Sequence, residues 1–411
     1  MNIYYDHSLA SWFHEELSAI TFGGEKKALL RGKKISQNIL TFPVKLQSNH
    51  AGPLIGIMAG RKKNHSPAGN IRLFIKIQEE LLKRNGISFI FAPDDVRKHS
   101  IEGLIYDPVK GGWFNVTVPY PDIVYNRIPY RRSEAAGDFR HIFERFNEKK
   151  IPFFNPFFID KYELYLLLNE HPILKNFLPA TIPFKDKERV HRFFNDYKRV
   201  YLKTTQSSRG KGIFQLAAEG DRLNLYQGKF VESFENFEQF WDSWGERFQS
   251  TISLVQEAIL PQTYDGKRFD FRILAHADFD TYMVTGIGVR QSIDQEITTH
   301  VPNGGKVIPY EKIQTPEHDL FVKSIVENAG SWLTARWGFF GEFSIDAGIS
   351  QSGHYYLYEI NSKPMSFDEP EIEERKIQQL CRLFLQLSQF PENNDFCDIS
   401  FLPLPEKGYN R

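Results

Sequence analysis

The stretch that decides the fold is residues 341–361, "GEFSIDAGISQSGHYYLYEIN", which runs on into "SKP" at 362–364. Two strand-like runs flank Gln351-Ser352-Gly353-His354, and Gly353 tolerates the backbone conformation a tight turn demands. With the turn centred on Ser352 and Gly353, Asp346 falls opposite Glu359, and Ser344 opposite Asn361. Successive strand side chains alternate faces, so Phe343, Ile345, Ala347 and Ile349 would share an apolar face with Ile360, Tyr358 and Tyr356. The other face carries Asp346, Glu359 and Asn361. Two carboxylates facing each other on adjacent strands repel, and a cation between them removes the cost. Hard oxygen donors suit Mg²⁺ or Mn²⁺, which complete their coordination with water and phosphate. The same alternation also describes a solvated polar face of an antiparallel sheet.

Working outward, "YLKTTQSSRGKGIFQL" (201–216) places Lys203 near a strand end, before a loop of small residues and a second strand. Such loops expose backbone N–H groups to phosphate oxygens, and Arg209 and Lys211 add charge. It is not a Walker A loop: Gly212 stands where Ser or Thr would, and no helix follows. An ordinary exposed turn has the same composition. "VQEAI" (255–259) is extended and interrupted by Glu257, either a backbone edge for a base or an edge-strand charge. "RFDFRIL" (268–274) puts Arg268, Asp270 and Arg272 on one strand face, suited to ribose and phosphate or to a structural ion pair.

Upstream, "PLIGIMAG" (53–60), a helical pattern over about 69–85, and "ISFIFAP" (87–93) form a β-α-β unit, the start of a parallel sheet. "IEGLIYD" and "PDIVYNRIPY" continue it as strands. Helices are expected over 134–149, after the N-cap Asp160, near 235–247, over 316–336 and over 370–389.

The chain has 411 residues, 41% of them apolar and 25% charged, which describes a folded protein of two or three domains. Lysine plus arginine equals aspartate plus glutamate at 51 each, against a wholesale nucleic-acid or anionic-membrane binder. Two cysteines, Cys381 and Cys397, without Cys-x-x-Cys spacing fit a reducing compartment. No signal peptide or membrane-length apolar run is present, so the expected location is cytoplasmic. The twelve histidines are scattered, and His141, His276 and His300 are read as packing or surface residues.

In order and motif these features resemble an ATP-grasp protein, over about 156–390. The resemblance is carried by "IDKYEL", "LPATI", "VYLKTTQSSRGKGI", "VQEAI", "FDFRIL", "HVPNGG" and the final hairpin. "IMAGR", "DIVYNRIP", "FFNPFFIDKYEL" and "THVPNGGK" look like the endospore coat-associated YheC/YheD branch, found in spore-forming bacilli. The resemblance implies an α/β (α+β ATP-grasp) fold. It divides the chain into a small N-terminal module (1–50), a β-α-β pre-ATP-grasp domain (51–155), a nucleotide-binding subdomain (156–260), a metal and catalytic subdomain (261–392) and a tail (393–411), with antiparallel sheets in the ATP-grasp part.

It further implies that Lys161 and Lys203 contact ATP phosphates, under a mobile loop including Ser207, Ser208, Gly210, Lys211 and Gly212. Gln256, Glu257, Ala258 and Ile259 would line the adenine pocket, Glu257 accepting from the amino group, and Asp270 would hold the ribose. Arg272 and Arg290 would face the γ-phosphate. Asp346, Glu359 and Asn361 would bind two Mg²⁺ ions, bridged by Glu359. The implied activity is ligation of a carboxylate to an amine through an acyl-phosphate, on an amino acid or peptide, with spore coat proteins as further partners. A non-catalytic ATP-binding scaffold of the coat and a kinase share the same contacts. "KPM" after Asn361 departs from the Pro-Gly of many members, near the expected acceptor position. Asn126, Arg127 and the "HSPAGN" loop (65–70) are acceptor contacts expected from the preceding domain.

Overall fold

The computed structural model describes residues 1–34, 39–134, 137–204, 212–251, 253–292 and 305–392. The β-α-β unit forms as its pattern requires. Strands Leu54–Met58 and Ile87–Phe91 pair in parallel, joined by the helix Ile71–Lys83. All ten strand residues are buried, which explains why both strands read as continuous apolar runs rather than alternating ones. Ile123–Asn126 and Phe153–Phe154 extend the parallel side.

The other side corrects the expectation of a parallel sheet. Ile101–Asp107 runs antiparallel to Ile87–Phe91 and forms a hairpin with Gly112–Val118, a strand the sequence reading did not assign. A hairpin needs only a short turn, whereas a parallel neighbour needs a long crossover, and here the intervening segment is short.

The first fifty residues contribute short strands to two four-stranded sheets. Their Trp12, Phe22 and Phe42 pack in one cluster with Phe89, Phe91 and Val118. This segment therefore completes the β-α-β layer's core.

Two further six-stranded sheets follow. One, here the lysine sheet, runs from Thr181–Pro183 through Ser253–Glu257, Arg199–Thr204, Ile213–Glu219 and Arg222–Gln227 to Phe230–Phe234. It is antiparallel, and with helices Lys187–Tyr197 and Phe237–Ser250 it encloses its own aromatic-rich core. The other, here the carboxylate sheet, has the main order Gly305–Ile308, Thr281–Ser292, Lys267–Asp278, Glu342–Ile349, Tyr355–Asn361. Helices Pro316–Trp337 and Pro370–Leu387 cover it. Its core is continuous with the β-α-β layer: Ile55, Ile57, Phe74 and Ile77 share a cluster with Ile273, Phe343, Leu380 and Phe384. Among the described residues no helix is long and apolar enough to cross a membrane.

Candidate active site

The decisive hairpin forms, with one correction to its register. Ser344 pairs with Asn361, Ile345 with Ile360 and Asp346 with Glu359, as the sequence predicts. Beyond that point the pairing shifts, so that Ala347 meets Leu357 and Ile349 meets Tyr355. Tyr358 is the extra residue of a β-bulge, and the connection between the strands is correspondingly longer than four residues. The expected pairing of Ala347 with Tyr358 and Ile349 with Tyr356 is therefore wrong. The bulge sends Tyr358 into the cleft beside Glu359, where it crosses Gly348: a Cβ there would lie 2.6 Å from the Tyr358 hydroxyl.

The rest of the carboxylate face follows from sheet register. Arg272 pairs with Asp346 on one side and Gly288 on the other, giving the row Glu359, Asp346, Arg272, Gly288 across four strands. Asp270 pairs with Arg290 in a neighbouring row. Arg272 and Arg290 are 7% and 9% exposed, so these guanidiniums belong to the interior of the site. Arg272 Nη2 donates to the Met365 carbonyl at 3.3 Å, and its guanidinium lies 4.9 Å from the Phe367 ring centre.

Across the cleft stand two lysines. Lys161 opens the helix Lys161–Asn169, capped by Asp160, whose carboxylate accepts from the Tyr162 and Glu163 N–H groups at 2.8 and 3.1 Å. Its Nζ meets Glu359 Oε2 at 3.1 Å. Burial pushes the Glu359 carboxyl up, but Lys161, by charge and hydrogen bond, together with Lys203, holds it below the usual range. Lys203 donates to Gln256 Oε1. Burial and the neighbouring Lys161 lower its pKa to about 8, against the pull of Glu359 and Asp346. Its hydrogen-bond partner is thus a neutral amide, with the two carboxylates acting on it through charge.

The expected adenine edge is more occupied than foreseen. Gln256 orients Lys203 and also donates to Thr181 Oγ1 at 2.9 Å. Glu257 turns Oε1 to the Ala180 N–H at 2.8 Å, and the Ala258 N–H serves the Arg199 carbonyl at 3.1 Å. Both groups hold the strand ends together. Glu257, Ile259 and Asp270 nonetheless line a cavity of about 150 Å³ with Lys203, Tyr201 and Tyr358. The sequence gives no sign that Tyr201 and Tyr358 line it. Strict alternation places Tyr358 on the core face, and only the bulge overturns that.

Gly212 closes the loop after Lys203, its carbonyl accepting the Thr204 N–H at 3.0 Å, with φ of 87°. Ser207, Ser208, Gly210 and Lys211 lie outside the described residues, as does His300. His276 is fully buried, its Nδ1 2.7 Å from Thr285 Oγ1, and His141 is exposed.

The acceptor contacts expected from the β-α-β layer are spent on structure. Asn126 is fully buried: its Nδ2 donates to Glu134 and to the Pro156 carbonyl, and its Oδ1 accepts from Lys363. Arg127 is paired with Glu342 and donates to the Pro364 carbonyl at 2.8 Å. Of the 65–70 loop, Asn70 caps a helix and donates to Ser366 Oγ at 3.0 Å. These groups hold residues 362–366 in place.

Among the described residues no three His, Cys, Asp or Glu side chains gather as a ligand group. The donor set is instead two carboxylates and the Asn361 amide, whose Nδ2 lies 3.5 Å from Asp346 Oδ2. Facing carboxylates with an amide beside them suit a hard divalent cation that completes its coordination with water or other oxygen ligands.

This architecture is the ATP-grasp fold. D-alanyl-alanine synthetase A of Vibrio cholerae superposes with a TM-score of 0.53 at 13% identity, covering 82% of this chain and 99% of that one. VanG D-Ala:D-Ser ligase of Enterococcus faecalis gives 0.51 at 12%, with coverage of 82% and 99%. Within that fold the chain belongs to the YheC/D-like ATP-grasp family, whose model matches residues 150–390. It is 29% identical over 334 residues to endospore coat-associated protein YheD of Bacillus subtilis, covering 77% of this chain and 73% of that protein. Against endospore coat-associated protein YheC of the same organism the figures are 22% over 304 residues, 69% and 84%.

Proposed function

We propose that the protein is an ATP-dependent carboxylate–amine ligase, acting through an acyl-phosphate on an amino acid or peptide during spore-coat formation. The observation that carries this reading is the meeting of Lys161 and Lys203 with Asp346 and Glu359 across one cleft, closed by the 3.1 Å contact between Lys161 and Glu359. Carboxylates on one side and ammonium groups on the other match a polyphosphate with its divalent cation. Asp346, Glu359 and Asn361 would hold Mg²⁺ or Mn²⁺, which when bound offsets charge on the phosphoryl oxygens.

The chain's own groups do the rest. Lys203, steered by Gln256, and Lys161 bind phosphate oxygens. Arg272 and Arg290, buried on the same face, stabilise charge that builds as the γ-phosphoryl passes to a substrate carboxylate. Tyr358, Tyr201 and Ile259 enclose the base and ribose with Asp270. No side-chain nucleophile is needed, since positioning and electrostatics suffice for phosphoryl transfer. The coat setting is supported by the names of the two Bacillus subtilis relatives, and the work is assigned to the cytoplasm, where ATP is supplied.

The test is ADP release by metal-loaded protein with pairs of amino acids and peptides. Turnover that needs both an acid and an amine is expected, and turnover with the acid alone that ends in a stable phosphorylated product would overturn the ligase reading in favour of a kinase.

A further inference from the structure

In the row Glu359, Asp346, Arg272, Gly288 the last position has no side chain, and a residue from elsewhere fills its place. A Cβ on Gly288 would lie 2.6 Å from Glu369 Oε1 and 3.2 Å from its Cδ, so the Glu369 carboxylate rests directly on the sheet. Gly286 is bare for the same reason, with Ile372 2.6 Å from where its Cβ would be. Phe367 and Ile372 clamp the segment onto Leu274.

Glu369 stands at the N-cap of the helix Pro370–Leu387, yet its side chain makes no capping hydrogen bond. The neighbouring Glu373 is engaged, accepting the Phe367 N–H at 2.8 Å. Glu369 is half-buried. Burial, Asp368 and Glu371 push its carboxyl up, its own N–H and Arg272 draw it down, and the balance is upward. Beside it, Arg272 is 7% exposed and its Nε is buried without a hydrogen-bond partner among the described residues. The far end of the row thus offers a guanidinium whose Nε has no partner among the described residues and, beside it, a half-buried carboxylate that does not cap its helix. Neither is assigned to the metal: Arg272 lies one strand beyond Asp346, and Glu369 rests on Gly288 one strand further.

Building on the ligase reading, we propose that Glu369 is the catalytic residue that receives the acceptor, binding the ammonium of an amino-acid or peptide amino group beside Arg272. Glu369 takes one proton from the ammonium and frees the nitrogen lone pair. The nitrogen forms the C–N bond at the acyl carbon as the C–O bond to phosphate breaks. The electron pair leaves on phosphate, which carries off the second proton.

The experiment compares products formed with glycinamide and with hydroxylamine, a nucleophile that is neutral near pH 7, using ATP, Mg²⁺ and the twenty amino acids as acids. In Glu369→Gln the ratio of glycinamide product to hydroxylamine product is expected to fall about 100-fold, within the range of general-base losses. The KM for the amine should rise while that for ATP holds. Gly288→Ala keeps every charge but puts a methyl where Oε1 lies, and should lower the same ratio, whereas Glu369→Asp should recover part of it. An unchanged ratio in Glu369→Gln overturns the inference. So does an equal loss with both nucleophiles together with a raised KM for ATP, which marks a structural role. Wild-type product with hydroxylamine but none with glycinamide also overturns it. Absence of ADP release from the wild type in every mixture overturns the ligase reading itself, a separate result.

Discussion

Four residues apart on one strand, Glu342 and Asp346 point to the same face, yet they belong to opposite kinds of electrostatics. Glu342 is fully buried between the carboxylate sheet and the β-α-β layer. Its Oε2 takes the Tyr125 hydroxyl at 2.5 Å and Arg127 at 3.2 Å, and Lys376 lies 3.1 Å from Oε1. Burial would raise its pKa, but Lys376, Arg127, His276 and Tyr125 hold it at about 2. Asp346 instead faces the Glu359 carboxylate, and the nearby Lys161 and Lys203 meet Glu359 and the neutral Gln256 amide. The first cluster pairs its carboxylate with buried cations of the chain itself, and under the proposed function the second would be completed by a ligand. The buried network fixes the junction between layers, while under the proposed function the cleft keeps its charges for chemistry.

The sharpest way to break this contrast is to remove Glu342. Glu342→Gln leaves Arg127 and Lys376 buried without their anion, and should cost about 3–5 kcal/mol of unfolding free energy in urea melts. A loss below about 1 kcal/mol would mean the junction is not held by this network. The matching change in the cleft, Glu359→Gln, should lower ADP release by about 100- to 1,000-fold. It should shift unfolding by less than about 1 kcal/mol, because this side chain is partly exposed and makes one ion pair. A smaller effect comes from Lys203→Met: affinity for a non-hydrolysable ATP analogue, measured by calorimetry, should fall about tenfold, the scale of one charged hydrogen bond. Because the fold disfavours this ammonium, the ligand-free protein should keep or raise its unfolding midpoint, the reverse of the junction result.

The mildest test is acid. The Glu342 carboxyl titrates near 2 when folded against an ordinary 4.5, so its stabilisation is whole above about 4.5 and lost as pH falls toward 2. Wild type should lose stability across that window, and Glu342→Gln should lack that component of the slope.

What the sequence made legible follows the same division. The facing of Asp346 and Glu359, and of Ser344 and Asn361, was readable because strand alternation and a Gly-containing turn are local rules. The agreement hides two compensating departures, a longer connection and a bulge at Tyr358, and neither leaves a local mark. Asn126 and Arg127 misled because a polar pair at the end of a buried strand looks the same whether it awaits a ligand or a distant Lys363 and Glu342. Their partners lie 237 and 215 positions away, beyond what periodicity can detect. The first fifty residues were illegible for a simpler cause: their strands are two to five residues long, shorter than the window in which alternation becomes visible.

The bonds that anchor residues 362–366 set how the enzyme would open. Asn155 grips the Ser362 carbonyl at 2.6 Å, and Lys363, Pro364 and Ser366 are each tied to the β-α-β layer. These bonds and the shared core join that layer and the carboxylate sheet into a single anvil. The lysine sheet, with its separate core and its covalent crossings near 178–181 and 257–261, is the hammer. Under the proposed function, any change in the width of the nucleotide cleft would move Lys203 relative to Asp346 across these two crossings.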